Sequence, residues 1–125
     1  AVHCHTNAPS SSSQSPLQVH VREIPFSYGK LGGSIWYAAI ALSQYLILRP
    51  SLVRNKNVLE LGSGVGLPGL TAAKLSAKSV TLTEFGMEGD VDGIVLEKEG
   101  DKRLLPSALL SNLRYNAILN GCDDV

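Results

Sequence analysis

Excess charge of either sign is what this sequence most plainly lacks: eleven Lys and Arg offset eleven Asp and Glu, for a formal net charge of zero. A module that held nucleic acid through bulk electrostatics would carry a basic surplus, so nucleic acid is not an expected partner, although a local basic patch is compatible with this balance. Cysteine is scarce as well. Cys4 and Cys122 stand near opposite ends, which is no spacing for a disulfide-rich secreted framework; the expected home is a reducing compartment, the cytoplasm with the nucleus as a second location. No apolar run reaches the length of a membrane span, so no membrane partner is expected. The opening AVHCHTNAPSSSSQSP also lacks the charged-then-apolar order of a signal peptide. An initial methionine is missing too, and 125 residues are few for an open parallel sheet with helices on both faces. The expectation is a half-sized domain from a processed, trimmed or incomplete product.

What is present reads as globular, with 44% apolar and 18% charged residues. Residues 1–16 are the exception: rich in Ser and nearly devoid of apolar side chains, they are expected to form a mobile tail ahead of a domain spanning 17–125. His3, Cys4 and His5 are adjacent in that tail with no further ligand nearby, so no metal site is expected. LQVHVREI, residues 17–24, alternates apolar and polar side chains as a half-buried strand does, with His20 toward solvent. Pro25 closes it and Gly29, Gly32 and Gly33 loosen the loop that follows. SIWYAAIALSQYLIL then reads as a helix with Ser34 as N-cap, Pro50 as stop, and Ile35, Ala39, Leu42, Leu46 and Ile47 on its core face.

Beyond it, 57–61 is nearly all apolar, as in a buried parallel strand. Residues 67–77 suit a helix with Pro68 in its first turn, and SVTLTE, 79–84, a second parallel strand. Strand, glycine turn, helix and strand make a βαβ unit with a right-handed crossover.

The chemistry concentrates in VLELGSGVGLPGL, residues 58–70, where an apolar strand runs into a glycine-alternating turn and then a helix, the way a nucleotide-type cofactor is held. Two frames compete. Gly64, Gly66 and Gly69 make GxGxxG, the dinucleotide fingerprint, with an acid, Glu84, at about the right distance. Glu60, Gly62, Gly64 and Gly66 make ExGxGxG, a frame that also accounts for Glu60. In either frame Glu84, at the tip of the second strand, can accept hydrogen bonds from ribose hydroxyls.

The second frame, taken with its flanks, resembles the first motif of class I S-adenosylmethionine-dependent methyltransferases. GSIWYAAIALSQYL, then NVLELGSGVGLPGL, then VTLTE is similar in order and spacing to the protein-lysine methyltransferase-like group, over residues 33–84, with a weaker echo in SNLRYNAILN. The resemblance implies an α/β, Rossmann-like seven-strand methyltransferase fold, of which the chain carries the N-terminal part with the C-terminal strands absent. It implies S-adenosyl-L-methionine as cofactor and a protein lysine as methyl acceptor. By the same resemblance Trp36 lines the cofactor site, Gly62, Ser63 and Gly64 pass under the methionine and ribose part, Glu84 holds the ribose hydroxyls, and Glu60 is a lesser candidate. The chain departs from the family at Tyr37, where an acid is common, and at Glu84, where Asp is commoner. Catalytic residues and oligomeric state are not legible, because the acceptor pocket belongs to later strands. Two other readings stay open: a fragment of an NAD-dependent oxidoreductase, and a non-catalytic truncated product or interaction module.

Residues 85–103 read as a surface insertion in which Glu88, Asp90, Asp92 and Glu97 could attract a basic segment or a cation, with a small hairpin around 97–101. Its spacing is not that of a calcium loop. The last predicted helix, 106–119, directs Leu109, Leu110, Leu113, Ala117 and Ile118 or Leu119 to the sheet, sets Asn116 and Asn120 one turn apart, and ends at Gly121.

Overall fold

The computed structural model describes residues 1–5, 16–85 and 108–122. Three strands, β1 (Val2–His5), β2 (Asn57–Glu60) and β3 (Ser79–Leu82), form one sheet in the order β1-β3-β2. Around it lie helices α1 (Phe26–Gly29), α2 (Tyr37–Leu48), α3 (Leu67–Lys74) and α4 (Ala108–Leu119), with short 3-10 turns at Lys30–Gly33 and Pro50–Leu52. β2 and β3 are parallel, Val58 beside Val80 and Glu60 beside Leu82, and α3 is the crossover between them. The result is a mixed α/β fold built on the βαβ unit that the glycine turn announces.

The core sits where α3 and α4 cover the sheet. Leu70 and Ala72 from α3, Val80 and Leu82 from β3, and Leu113 and Ala117 from α4 are all fully buried. Each Leu or Val so placed contributes roughly 1.5–3 kcal/mol relative to an exposed one. Close approach of α3 depends on Gly69, since a Cβ there would run into the side chains of Leu82 and Glu60. That is the work the third glycine of a strand–turn–helix unit does.

Four expectations are corrected. Residues 1–16 do not begin as a tail: Val2–His5 pairs antiparallel with β3, burying Val2 and Cys4 while His3 reaches the hydroxyl of Thr81 at 2.9 Å. A polar average over sixteen residues hides a four-residue alternation, and two inward side chains are enough to seat an edge strand. The alternating stretch 17–24 is not a strand. It is extended, with Val19 and Val21 against the core, but its backbone is paired by side chains of α4 and not by the sheet.

The third correction concerns α2, which begins at Tyr37, with Trp36 in the cap position (φ −93°, ψ 148°) and its carbonyl accepting from the N–H groups of Ala39 and Ile40; Ser34 caps nothing. Ser43 is buried and Ala39 and Leu46 are half-buried, whereas Leu42 and Ile47 are exposed. A helix apolar nearly all round does not select a face by periodicity, and small side chains at 39 and 43 let it lie against α3. Fourth, β2 is not buried on both faces: among the described residues it pairs only with β3, and Leu59 is 61% exposed.

α4 carries Leu113 and Ala117 inward as expected, leaves Ile118 and Leu119 exposed, and buries Asn112 and Asn116, with Asn120 buried just past its end. Its end matches the expected stop, with Gly121 N–H bonded to the Ile118 carbonyl and Cys122 N–H to that of Ala117. The acidic residues Glu88, Asp90, Asp92 and Glu97 and the hairpin at 97–101 lie outside the described residues.

Candidate cofactor site

The turn after β2 is tied to the end of β3 by a small network. Ser63 N–H donates to the Thr83 carbonyl at 2.8 Å and Thr83 N–H to the Glu60 carbonyl at 3.0 Å. The Ser63 and Thr83 hydroxyls both donate to that same Glu60 carbonyl. The two parallel strands are thereby locked together one residue past their ends, and the glycine turn starts from a fixed point. At Gly64 the backbone is left-handed (φ +53°), and a Cβ would stand 3.0 Å from the Gly32 carbonyl. Glycine is needed there twice over, for the dihedral and for the approach of the 3-10 turn.

Two carboxylates flank the turn. Glu84, just past β3, accepts from Gly64 N–H at 2.5 Å through one oxygen and from Phe85 N–H at 2.9 Å through the other. Each oxygen keeps a lone pair for another donor. Glu60, at the end of β2, accepts from Gly69 N–H in the first turn of α3 at 2.9 Å. Burial pushes the Glu60 carboxyl up to about 7 and the nearby Glu84 charge adds to that, while bonds from Gly69 and Ser63 pull the other way.

Beside the turn lies a cleft of about 420 Å³, within the roughly 300–1,000 Å³ typical of small-molecule sites. Trp36, Glu60, Gly62, Ser63, Gly64 and Glu84, the six residues singled out in the sequence, all line it. They come from three separate stretches of chain. Trp36 is 56% exposed, so it is not a core residue, and its indole N–H donates to the Leu31 carbonyl at 2.8 Å.

The facing wall was not read from the sequence. Leu31, Gly32 and Ser34 line it, supported by Glu23, whose carboxylate accepts from Ile35 N–H at 2.6 Å. The glycines at 32 and 33, expected to loosen a loop, instead belong to a tight 3-10 turn whose Gly32 carbonyl faces Gly64. Among the described residues no three His, Cys, Asp or Glu side chains are grouped to hold a metal.

A βαβ unit whose glycine turn is clamped between two strands, with an acid at each strand tip and an open cleft alongside, defines a mixed α/β domain. Comparison narrows the class. A family model described as lysine methyltransferase matches residues 16–92, and the chain belongs to that family. It is 38% identical over 71 residues, 57% of this chain and 21% of the relative, to a protein N-terminal and lysine N-methyltransferase of Neurospora crassa. A Candida glabrata protein of the same name is 33% identical over 90 residues, 72% of this chain and 34% of its own length. A rat histone-arginine methyltransferase is 41% identical over 69 residues, 55% of this chain and 30% of the relative. The matches to these three thus span between about a fifth and a third of each relative's length.

Proposed function

We propose that the chain is the S-adenosylmethionine-binding part of a protein methyltransferase of the seven-strand kind, with a lysine side chain as the acceptor class. What carries the reading is the convergence of Trp36, the 60–64 turn and Glu84 on one cleft, in a chain of the lysine methyltransferase family. The dinucleotide frame explains the glycines and leaves Trp36 and Glu60 without a part.

The cleft suits the cofactor on its own features. Gly62 is left-handed (φ +63°) and a Cβ there would meet nothing within 4 Å, so the turn's surface is open to a ligand. Glu84 has acceptor capacity left for a pair of ribose hydroxyls, and the Trp36 ring offers an apolar face at the rim. Gly62, Ser63 and Gly64 would form the floor. Bound there, S-adenosylmethionine supplies an electrophilic methyl group on a sulfonium. The chain's own contribution is orientation: a turn fixed to both strands by the Ser63 and Thr83 bonds sets the cofactor's pose before an acceptor arrives, and positioning supplies much of the rate of an in-line displacement.

Calorimetry with S-adenosylmethionine, S-adenosylhomocysteine and NAD on the full chain tests the assignment. Expected is binding of the first two, no binding of NAD, and loss of binding in Gly64→Arg, whose side chain has to enter the space between the turn and Gly32. Binding of NAD in their place would overturn it.

A further inference from the structure

The shape of the cofactor turn is held from behind by a helix remote in sequence. Leu70 N–H makes the first helical bond of α3, to the carbonyl of its N-cap Gly66, which leaves the Gly69 N–H among the first-turn donors without a helical acceptor. It donates to Glu60 instead. Val65, one residue ahead of that N-cap, has no helical donor for its carbonyl, and because it is buried the carbonyl needs a donor from elsewhere. Among the described residues that donor is the Asn116 side-chain amide, at 3.0 Å.

Asn116 is fully buried and belongs to a ladder. Its oxygen accepts from Arg22 N–H at 2.8 Å and its NH₂ donates to the Arg22 carbonyl at 3.1 Å as well as to Val65. One turn along α4, Asn120 accepts from His20 N–H at 3.0 Å and donates to the His20 carbonyl at 2.6 Å. One turn back, Asn112 donates to the Arg22 carbonyl at 2.9 Å and accepts from the Arg22 guanidinium at 2.7 Å, with that guanidinium lying over the Tyr115 ring. The match is geometric. Four helical residues advance about 6.0 Å and two extended residues about 6.6 Å, so Asn116 and Asn120, four apart, meet Arg22 and His20, two apart, while Asn112 shares Arg22 with Asn116. Because backbone N–H groups can only donate, each asparagine's orientation is fixed by its partner.

The same segment continues to Glu23, which bonds Ile35 N–H, and to Ile24, whose N–H bonds the Gly33 carbonyl at 3.0 Å. The ladder therefore touches both sides of the cleft: the turn through Val65, the facing wall through residues 23 and 24.

We propose that Asn116 is a positioning residue for the cofactor site, setting the 62–66 turn through the Val65 carbonyl and fixing its distance from the facing wall through Arg22. This rests on the cofactor reading above. It assigns Asn116 a task beyond fold stability, because Asn120 plays a similar structural role at His20, and donates to the Asn116 main-chain carbonyl at 2.8 Å, without touching the turn.

The test compares Asn116→Leu with Asn120→Ala in the full chain, both confirmed folded by circular dichroism. S-adenosylmethionine affinity by calorimetry is expected to fall about tenfold in Asn116→Leu, the size of losing one bond to a buried carbonyl, and to stay within about twofold in Asn120→Ala. Hydrogen exchange without cofactor provides the independent readout: amides 62–66 should exchange faster in Asn116→Leu and at the parent rate in Asn120→Ala. Equal effects of the two substitutions, or an unchanged turn in Asn116→Leu, would overturn the proposal. If the parent chain binds no S-adenosylmethionine the cofactor reading fails, and the exchange comparison still decides the role of Asn116.

Discussion

At the scale of single residues, Glu60 carries the sharpest consequence. Its carboxyl is raised by burial from 4.5 to about 7, so the folded chain retains a proton that the unfolded chain gives up across that interval. A raised folded value for an acid means that its contribution to stability is greatest below the unfolded value and declines as pH climbs from 4.5 to about 7, staying low above. Glu60→Gln keeps an acceptor for Gly69 N–H and cannot ionise. Melting temperatures of the two chains should therefore converge at acid pH and separate toward neutral, with the variant the more stable above about 7. Parallel pH profiles would contradict the burial of that carboxyl.

Among the elements, α2 shows where sequence periodicity loses its grip. The glycine turn, α3 and β3 were legible because each rests on local chemistry: glycines where the chain must turn, a proline at a helix start, β-branched residues in a short strand. The six cleft residues were legible for the same reason, as a motif with its flanks. The face of α2 was not, because YAAIALSQYLIL offers apolar residues in every direction and its neighbour α3 chose the small ones. Ser43 is the cost of that choice: its hydroxyl is buried, with no hydrogen-bond partner among the described residues. Replacing a buried hydroxyl that lacks a partner removes a desolvation penalty, so Ser43→Ala is expected to stabilise by about 1 kcal/mol, read as a higher denaturant midpoint with unchanged slope. The stretch 17–24 suggests a strand and forms none for a related reason. Alternation reports an extended chain with one buried face, and it cannot say whether a sheet or a row of asparagines will satisfy the backbone.

For the molecule as a whole, the ends of the described chain meet. Cys4 of β1 and Cys122 after α4 are both buried in the same core cluster, and the neighbouring Cys122 thiol together with burial pushes the Cys4 thiol well above the usual thiol range. Both side chains should resist a thiol reagent in the folded state and react only as the core opens. Labelling of the two cysteines should follow one rate as denaturant is raised, matching loss of helical signal. Fast labelling of Cys4 alone would mean that β1 leaves β3 independently of the rest. At this scale the sequence was least informative, because contacts between residues 4 and 122 have no local signature and a tail's composition masked the strand that makes them.

The asparagine ladder also sets an order of events. His20 and Asn120 are 100 residues apart, and Arg22 and Asn116 are 94 apart. During synthesis β2, the glycine turn, α3 and β3 all leave the ribosome before the amide that fixes Val65 does. On the role proposed for Asn116, the 62–66 turn takes its final shape only once α4 has emerged and closed over the 17–24 segment, and contacts of such separation are slow to form. A nascent chain halted before α4 would carry the βαβ unit without the amide that bonds the Val65 carbonyl.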